Sequence, residues 1–288
     1  MIFRRWWDEG DDKLRAGACR AMNEADLLAS LGDRVIVVAL STVRIAIAFL
    51  IMPLFARDSI PPLVRNAIFM SMAVVGVAVQ PAGDVSAITS SAWANLVIKE
   101  AMIGLAIGLL FGLFLWAFES AGVIIDFQIG VSFALFFDPI IGNEATLFGT
   151  LFSRFANYLF LIAGGMMLMV GALIESFAVW PLLEPLDGLR EASVRLFEAE
   201  LSRFMSLTAR IAGPIMLVLF LIDVGLGLIN RYAPQFNVFF LSMSIKALSA
   251  TLLVIILLPF LVDVLLGELA FQAGRVDDYL ARVFSARP

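Results

Sequence analysis

Long apolar stretches follow one another along this chain, separated by short polar breaks. Residues 35–55 are apolar except for Arg44 and approach their end at Pro53. Residues 66–83 carry no charge and follow the turn Ser59-Ile60-Pro61-Pro62, and residues 101–118 and 155–174 are also uncharged. The last third holds the runs 211–222, 232–245 and 247–262, separated by Asp223, Arg231 and Lys246. A helix needs about 20 residues to cross a bilayer. Several of these runs reach that length and several fall short.

The short runs are informative. Between 119 and 144 the chain is apolar yet carries Asp126, Gln128, Asp138 and Pro139. A charge at mid-bilayer costs roughly 2.5–3.5 kcal/mol on insertion scales, so such a segment survives when packed on protein or lining a wet cavity. The pattern therefore predicts an all-α, multi-helix, membrane-associated protein with broken or re-entrant helical hairpins. Near 187–207, Leu189, Val194, Phe197, Leu201 and Phe204 recur at helical spacing after Pro181 and Pro185, which predicts an amphipathic helix. That helix serves either as a solvated connection or as a contact surface. A weaker version of the pattern, with Val276, Leu280 and Val283, lies in the tail. The simplest division is a polar extension (1–34), a membrane domain (35–266) and a C-terminal tail (267–288).

Composition agrees. Of 288 residues 61% are hydrophobic and 16% charged, against about 45–50% and 25% in soluble domains, and the mean hydropathy is +0.96. The net charge of −5 comes without a basic stripe for nucleic acid. Histidine is absent and Cys19 is alone, which removes the commonest general base and metal ligand and any intrachain disulfide. The acidic first 33 residues contain no apolar core of a signal peptide. Basic residues cluster both before residue 35 and in 181–210, so charge asymmetry does not fix the orientation.

Three constellations stand out. Gly104, Gly108 and Gly112 line one helical face and permit close backbone approach, and Glu119, Gly122, Asp126 and Gly130 continue that face if the helix persists. Ordinary helix packing is the simpler reading. Gly164-Gly165 with Met166, Met167 and Met169 reads as core or lipid contact or as a deformable seal. Residues 221–246 place Asp223, Asn230, Arg231, Gln235, Asn237 and Lys246 around Pro234, which breaks the helix. Asp223 and Asp126 are available to Arg231 and Lys246. Polar groups beside a broken helix also suit a secondary transporter or proton channel, with Asp126, Glu119 or Asp223 titrating.

Over residues 35–265 the chain resembles the SctT/FliR export-gate proteins, known as SpaR, YscT or HrcT in injectisomes. The resemblance rests on Arg44, Phe49 and Pro53; Lys99-Glu100 and the glycines after them; Ala121-Gly122, Asp126, Gln128, Gly130 and Ser132; and Asp138-Pro139. It continues through Gly164-Gly165, Ser176 and Trp180-Pro181 to Gly225, Gly227, Asn230-Arg231, Ala233-Pro234-Gln235 and Asn237-Val238-Phe239. Residues 125–128 and 239–246 are more similar to the injectisome branch than to the flagellar FliR type. The polar extension departs from the family's short N-terminus.

The resemblance implies a non-enzymatic, cofactor-free structural subunit of a type III secretion export gate in the bacterial inner membrane. It implies SctR-like and SctS-like neighbours in a helical pore complex, SctU-like and SctV-like proteins around it, and unfolded exported proteins in transit. Asn230, Arg231, Pro234, Gln235, Asn237 and Lys246 are then expected to shape the pore or a subunit contact. Lys99, Glu100, Asp126 and Lys246 are expected as buried ion-pair partners, with Gln128 and Asp138 as further buried polar groups.

Overall fold

The structure, a computed structural model, describes residues 34–55, 61–78, 90–130, 146–183, 191–232 and 238–275, together with residue 32. These residues are helical, with no strand among them. The helices are α1 (Arg34–Ile51), α2 (Pro62–Ala78), α3 (Ser90–Ile129), α4 (Leu147–Ile162), α5 (Gly165–Val179), α6 (Glu191–Tyr232) and α7 (Val238–Ala273). A short 3-10 turn, Pro53–Phe55, ends the first segment.

Helix α3 is the axis of the fold and packs most extensively on α4 and α6, while α7 lies mainly along α6. Burial separates core from surface: 61% of the most apolar window of α3 is buried, against 28% in α6 and in α7. The interior is aromatic, with Phe49, Phe111, Phe118, Phe152, Phe160 and Phe177 all but inaccessible. Phe49 stacks on Phe69 of α2 at 5.5 Å, and Phe114 meets Phe160 of α4 at 5.8 Å.

Among the described residues, four helices are long and apolar enough to cross a membrane, or five spans if the bent pair α4–α5 counts as one. The lengths exceed what a bilayer requires. At about 1.5 Å per residue, the 40 residues of α3 and 42 of α6 make rods of about 60 Å, roughly twice the ~30 Å hydrocarbon core.

One bend falls inside a run that the pattern reads as uninterrupted. The uncharged run 155–174 bends by 70° between α4 and α5. Gly164 sits there at φ +82°, a left-handed conformation glycine adopts without strain, and the Phe160 ring occupies the space a side chain on Gly165 would need. Of the segment 119–144, expected to be broken, residues 119–129 are continuous helix that ends before Gly130 at φ 99°, and 131–145 lie outside the described residues. The charges in 119–129 are tolerated because protein groups receive them, as described below. The amphipathic segment near 187–207 is fused with the run 211–222 into the single helix α6, and α7 passes through Lys246 without interruption. Pro214 and Pro259 both lie inside continuous helices. The break expected at Pro234 falls in 233–237, outside the described residues, between the end of α6 and the start of α7.

Candidate functional site

A membrane helix bearing charge must match it internally, and the buried charges of this fold gather into polar nodes between helices. The innermost joins α1, α3 and α5. Arg44 and Glu100 are fully buried, with Arg44 Nε donating to Glu100 Oε2 at 2.6 Å and Nη2 to Oε1 at 3.0 Å. This two-pronged geometry is the strongest form of the ion pair. Arg44 Nη1 donates to Ser176 Oγ (3.1 Å) and Nη2 to the Trp180 carbonyl (3.0 Å), and the guanidinium lies 4.2 Å from the centre of the Phe177 ring. Lys99 Nζ stands 3.2 Å from Glu100 Oε1 and donates to the carbonyls of Pro181 (2.7 Å) and Leu182 (2.8 Å).

Two cations thus face one carboxylate. Carbonyls at and beyond the C-terminus of α5 offset the excess positive charge, since that end of a helix carries partial negative charge. The end is fixed by sequence: Trp180 is extended (φ −127°, ψ 93°) before Pro181, which cannot continue the helix hydrogen bonding.

The glycine stripe serves the same junction. A side-chain carbon on Gly104 would fall on the Arg44 carbonyl oxygen, and one on Gly108 would lie 2.8 Å from that of Ala48. Gly112 meets Ile51 at an ordinary 3.4 Å. Helices α1 and α3 therefore cross backbone to backbone, which places Arg44 within reach of Glu100. Gly122 faces the Phe148 backbone of α4 in the same way.

Asp126, buried to 2% exposure, does another job. The N–H groups of Phe148 (2.9 Å) and Gly149 (3.1 Å) donate to its Oδ2. These are first-turn donors of α4, and the N-cap residue Thr146 makes no side-chain cap of its own. A carboxylate 22 residues away thus caps the helix and complements its positive end. Asp126 was expected in an ion pair; its Oδ2 is instead met by backbone donors, while its Oδ1 is buried without a hydrogen-bond partner among the described residues. Nearby, Ser153 Oγ donates to Glu119 Oε2 at 3.0 Å.

Toward the α6–α7 break, Lys246 Nζ contacts Asp223 Oδ1 (3.0 Å) and donates to the Gln128 carbonyl (2.7 Å), while Gln128 Nε2 donates to Asp223 Oδ2 (2.9 Å). This node joins the end of α3 to both arms of the hairpin. Asn230 and Arg231 are exposed at the end of α6, and Arg231 makes no ion pair among the described residues. Pro234, Gln235, Asn237 and Asp138 lie outside the described residues. In the methionine segment, Met169 is buried and Met167 is 82% exposed, so these side chains divide between core and surface.

The sequence reading missed a further node at the opposite end of the hairpin. Arg203 pairs in two-pronged fashion with Glu268 (2.6 and 3.0 Å), Arg275 with Glu200 (3.0 Å), and both guanidiniums lie over Phe271. Gln272 Nε2 donates to the Leu110 carbonyl of α3 at 2.8 Å. The signal was present. The pairs Asp223/Lys246, Arg203/Glu268 and Glu200/Arg275 each lie nearly symmetrically about the break at 233–237, as opposite charges must in an antiparallel hairpin.

Long apolar helices pinned by buried ion pairs, with large apolar faces left open, define a multi-helix membrane protein. Residues 35–271 match the family described as bacterial export proteins, family 1, and the chain belongs to that family. It is 33% identical over 217 residues to the Yop proteins translocation protein T of Yersinia pestis, covering 74% of this chain and 82% of the relative. Against the secretion system apparatus protein SsaT of Salmonella typhimurium it is 30% identical over 233 residues, covering 80% and 90%. The flagellar biosynthetic protein FliR of Bacillus subtilis is similar at 26% over 245 residues, covering 84% and 93%.

Proposed function

We propose that this chain is a structural subunit of the export gate of a type III secretion system, of the injectisome kind. Membership of the bacterial export family over 35–271 carries the proposal, and the higher identity to translocation and secretion-apparatus proteins than to the flagellar relative supports the branch. The chain contributes one wall of an inner-membrane pore for unfolded proteins, and the energy for transport comes from other components.

The shape supports an assembled rather than a solitary existence. On α7, large apolar side chains are exposed from Phe240 through Leu248, Ile255 and Ile256 to Leu266 and Phe271. That distance is about 46 Å at 1.5 Å per residue, more than a ~30 Å hydrocarbon layer covers. Neighbouring subunits of SctR-like and SctS-like type are the natural cover for the remainder, with SctU-like and SctV-like proteins around them. Helix α2 is similar: Leu63, Met70, Val74 and Val75 are exposed on it, and Arg65 buries Nε and Nη1 without a hydrogen-bond acceptor among the described residues. Exposed Asn230 and Arg231, at the mouth of the hairpin break, are placed to contact such a neighbour or the pore.

The transporter reading requires a carboxylate free to exchange protons. Each candidate has structural work: Asp126 caps α4, Asp223 holds Lys246, and Glu119 accepts from Ser153.

The test is purification of the tagged chain from its own membranes in mild detergent, followed by native mass measurement. Recovery in one large complex with small hydrophobic SctR-like and SctS-like subunits is the expected result. A lone monomer or homodimer that moves ions in liposomes would overturn the proposal.

A further inference from the structure

The node between α3, α6 and α7 is incomplete in one respect. Gln272 is 3% exposed and gives its Nε2 to the Leu110 carbonyl, yet its Oε1 is buried with no hydrogen-bond partner among the described residues. Reversing the amide does not help, because it would set two oxygens against each other at Leu110 and strand the nitrogen instead. A buried amide oxygen without a donor loses its hydration with nothing in return, so native structures supply one.

Beside it lies a small cavity of about 10 Å³. Leu110 and Phe114 of α3, Glu200 and Arg203 of α6, and Glu268 and Gln272 of α7 all line it. A free volume of that order accommodates about one water, which needs two to four polar partners to stay. We propose that this cavity is a binding site for one ordered water molecule, which donates to Gln272 Oε1 and to a carboxylate of the node. Arg203 uses Nε and Nη2 on Glu268, which leaves its Nη1 as a donor to the water oxygen. The molecule links the polar face of α6 to the amide of α7 at the point where α7 is tied to mid-α3.

Charge and size select the ligand class. Glu200 and Glu268 are each matched by a guanidinium, Arg275 and Arg203, so the node is neutral and attracts no cation. The remaining need is a hydrogen-bond donor of minimal volume, and water meets it.

The experiment is a cryo-EM map of the assembled complex at a resolution where other buried waters are visible, for the wild type and for Gln272→Met. The wild type should show a peak at ordinary hydrogen-bond distances, about 2.7–3.0 Å, from Gln272 Oε1 and a carboxylate oxygen. The methionine variant, whose side chain fills the same space with only a weak thioether acceptor, should lose that peak. An empty cavity in the wild type would overturn the proposal. So would a peak with contacts near 2.3–2.4 Å, which marks a metal ion, or a water that persists unchanged in the variant. A variant that fails to assemble leaves the wild-type map as the deciding measurement.

Discussion

Glu100 holds two cations at once, and its removal is the most severe perturbation of charge this fold offers. Glu100→Gln keeps the shape of the side chain but removes its charge and turns an amide N–H₂ toward Arg44 or Lys99. Arg44 is then left at 0% exposure and Lys99 at 3%, with neutral acceptors such as the new amide oxygen, Ser176 Oγ and three backbone carbonyls in place of the carboxylate. Breaking one buried ion pair by deleting a partner costs about 3–5 kcal/mol, and the retained carbonyl contacts keep this case within that range rather than doubling it. For a chain of this size a kcal/mol corresponds to roughly 2–4 °C, so the melting temperature should fall by roughly 6–20 °C. The assay is thermal unfolding of the detergent-solubilised complex, followed by size-exclusion fluorescence. A companion variant separates charge from shape: Arg44→Met with Lys99→Met and Glu100→Leu removes every charge of the node. Well-packed apolar replacements of buried pairs are often close to neutral, so the triple variant should melt well above Glu100→Gln. If Glu100→Gln melts with the wild type, or the triple variant melts lower still, the claim that charge pairing fastens α1 and α5 to α3 is wrong.

Other outcomes follow from the same geometry. Gly104→Ala should reduce folded yield sharply because its new carbon meets the Arg44 carbonyl, whereas Gly171→Ala, with nothing within 4 Å, should leave yield unchanged; expression and monodispersity report both. Asp126→Leu should destabilise by about 1–2 kcal/mol through loss of the α4 cap, and Asp126→Asn, which keeps an acceptor oxygen, by less; hydrogen exchange at Phe148 and Gly149 should rise in the same order. Arg231→Ala, at an exposed position, should leave the melting temperature of the isolated chain unchanged but lower secretion or the yield of the assembled complex; full secretion at normal yield would contradict its role. Swapping charges in Arg203→Glu with Glu268→Arg should restore most of the complex yield lost in either single variant, since the pair sits in one partly exposed node.

The existence of the helices was legible because helix hydrogen bonding is local, and a 15–20-residue apolar run in lipid has few other ways to satisfy its backbone. Where the helices stop was less legible. Lys246 and Asp126 look like interruptions in a linear hydropathy profile, but a charge ends a helix only when nothing meets it. Each is met from another element: Lys246 by Asp223 and the Gln128 carbonyl, Asp126 by the first turn of α4. Gly164 shows the converse, since an uncharged run bends where glycine takes φ +82° and the Phe160 ring fills the space beside Gly165.

Sequence alone determined the all-α membrane class, the family, the glycine face and the burial of Lys99, Glu100, Asp126 and Lys246, because each is written in composition, spacing or an ordered motif. Tertiary structure alone decided which charges meet. Arg44 and Glu100 are 56 residues apart, Arg44 and Ser176 132, Lys99 and Leu182 83, and no local periodicity encodes partners at such separations. The close crossing at Gly104 and the capped end of α5 bring those groups together, and burial away from water gives the resulting contacts their strength.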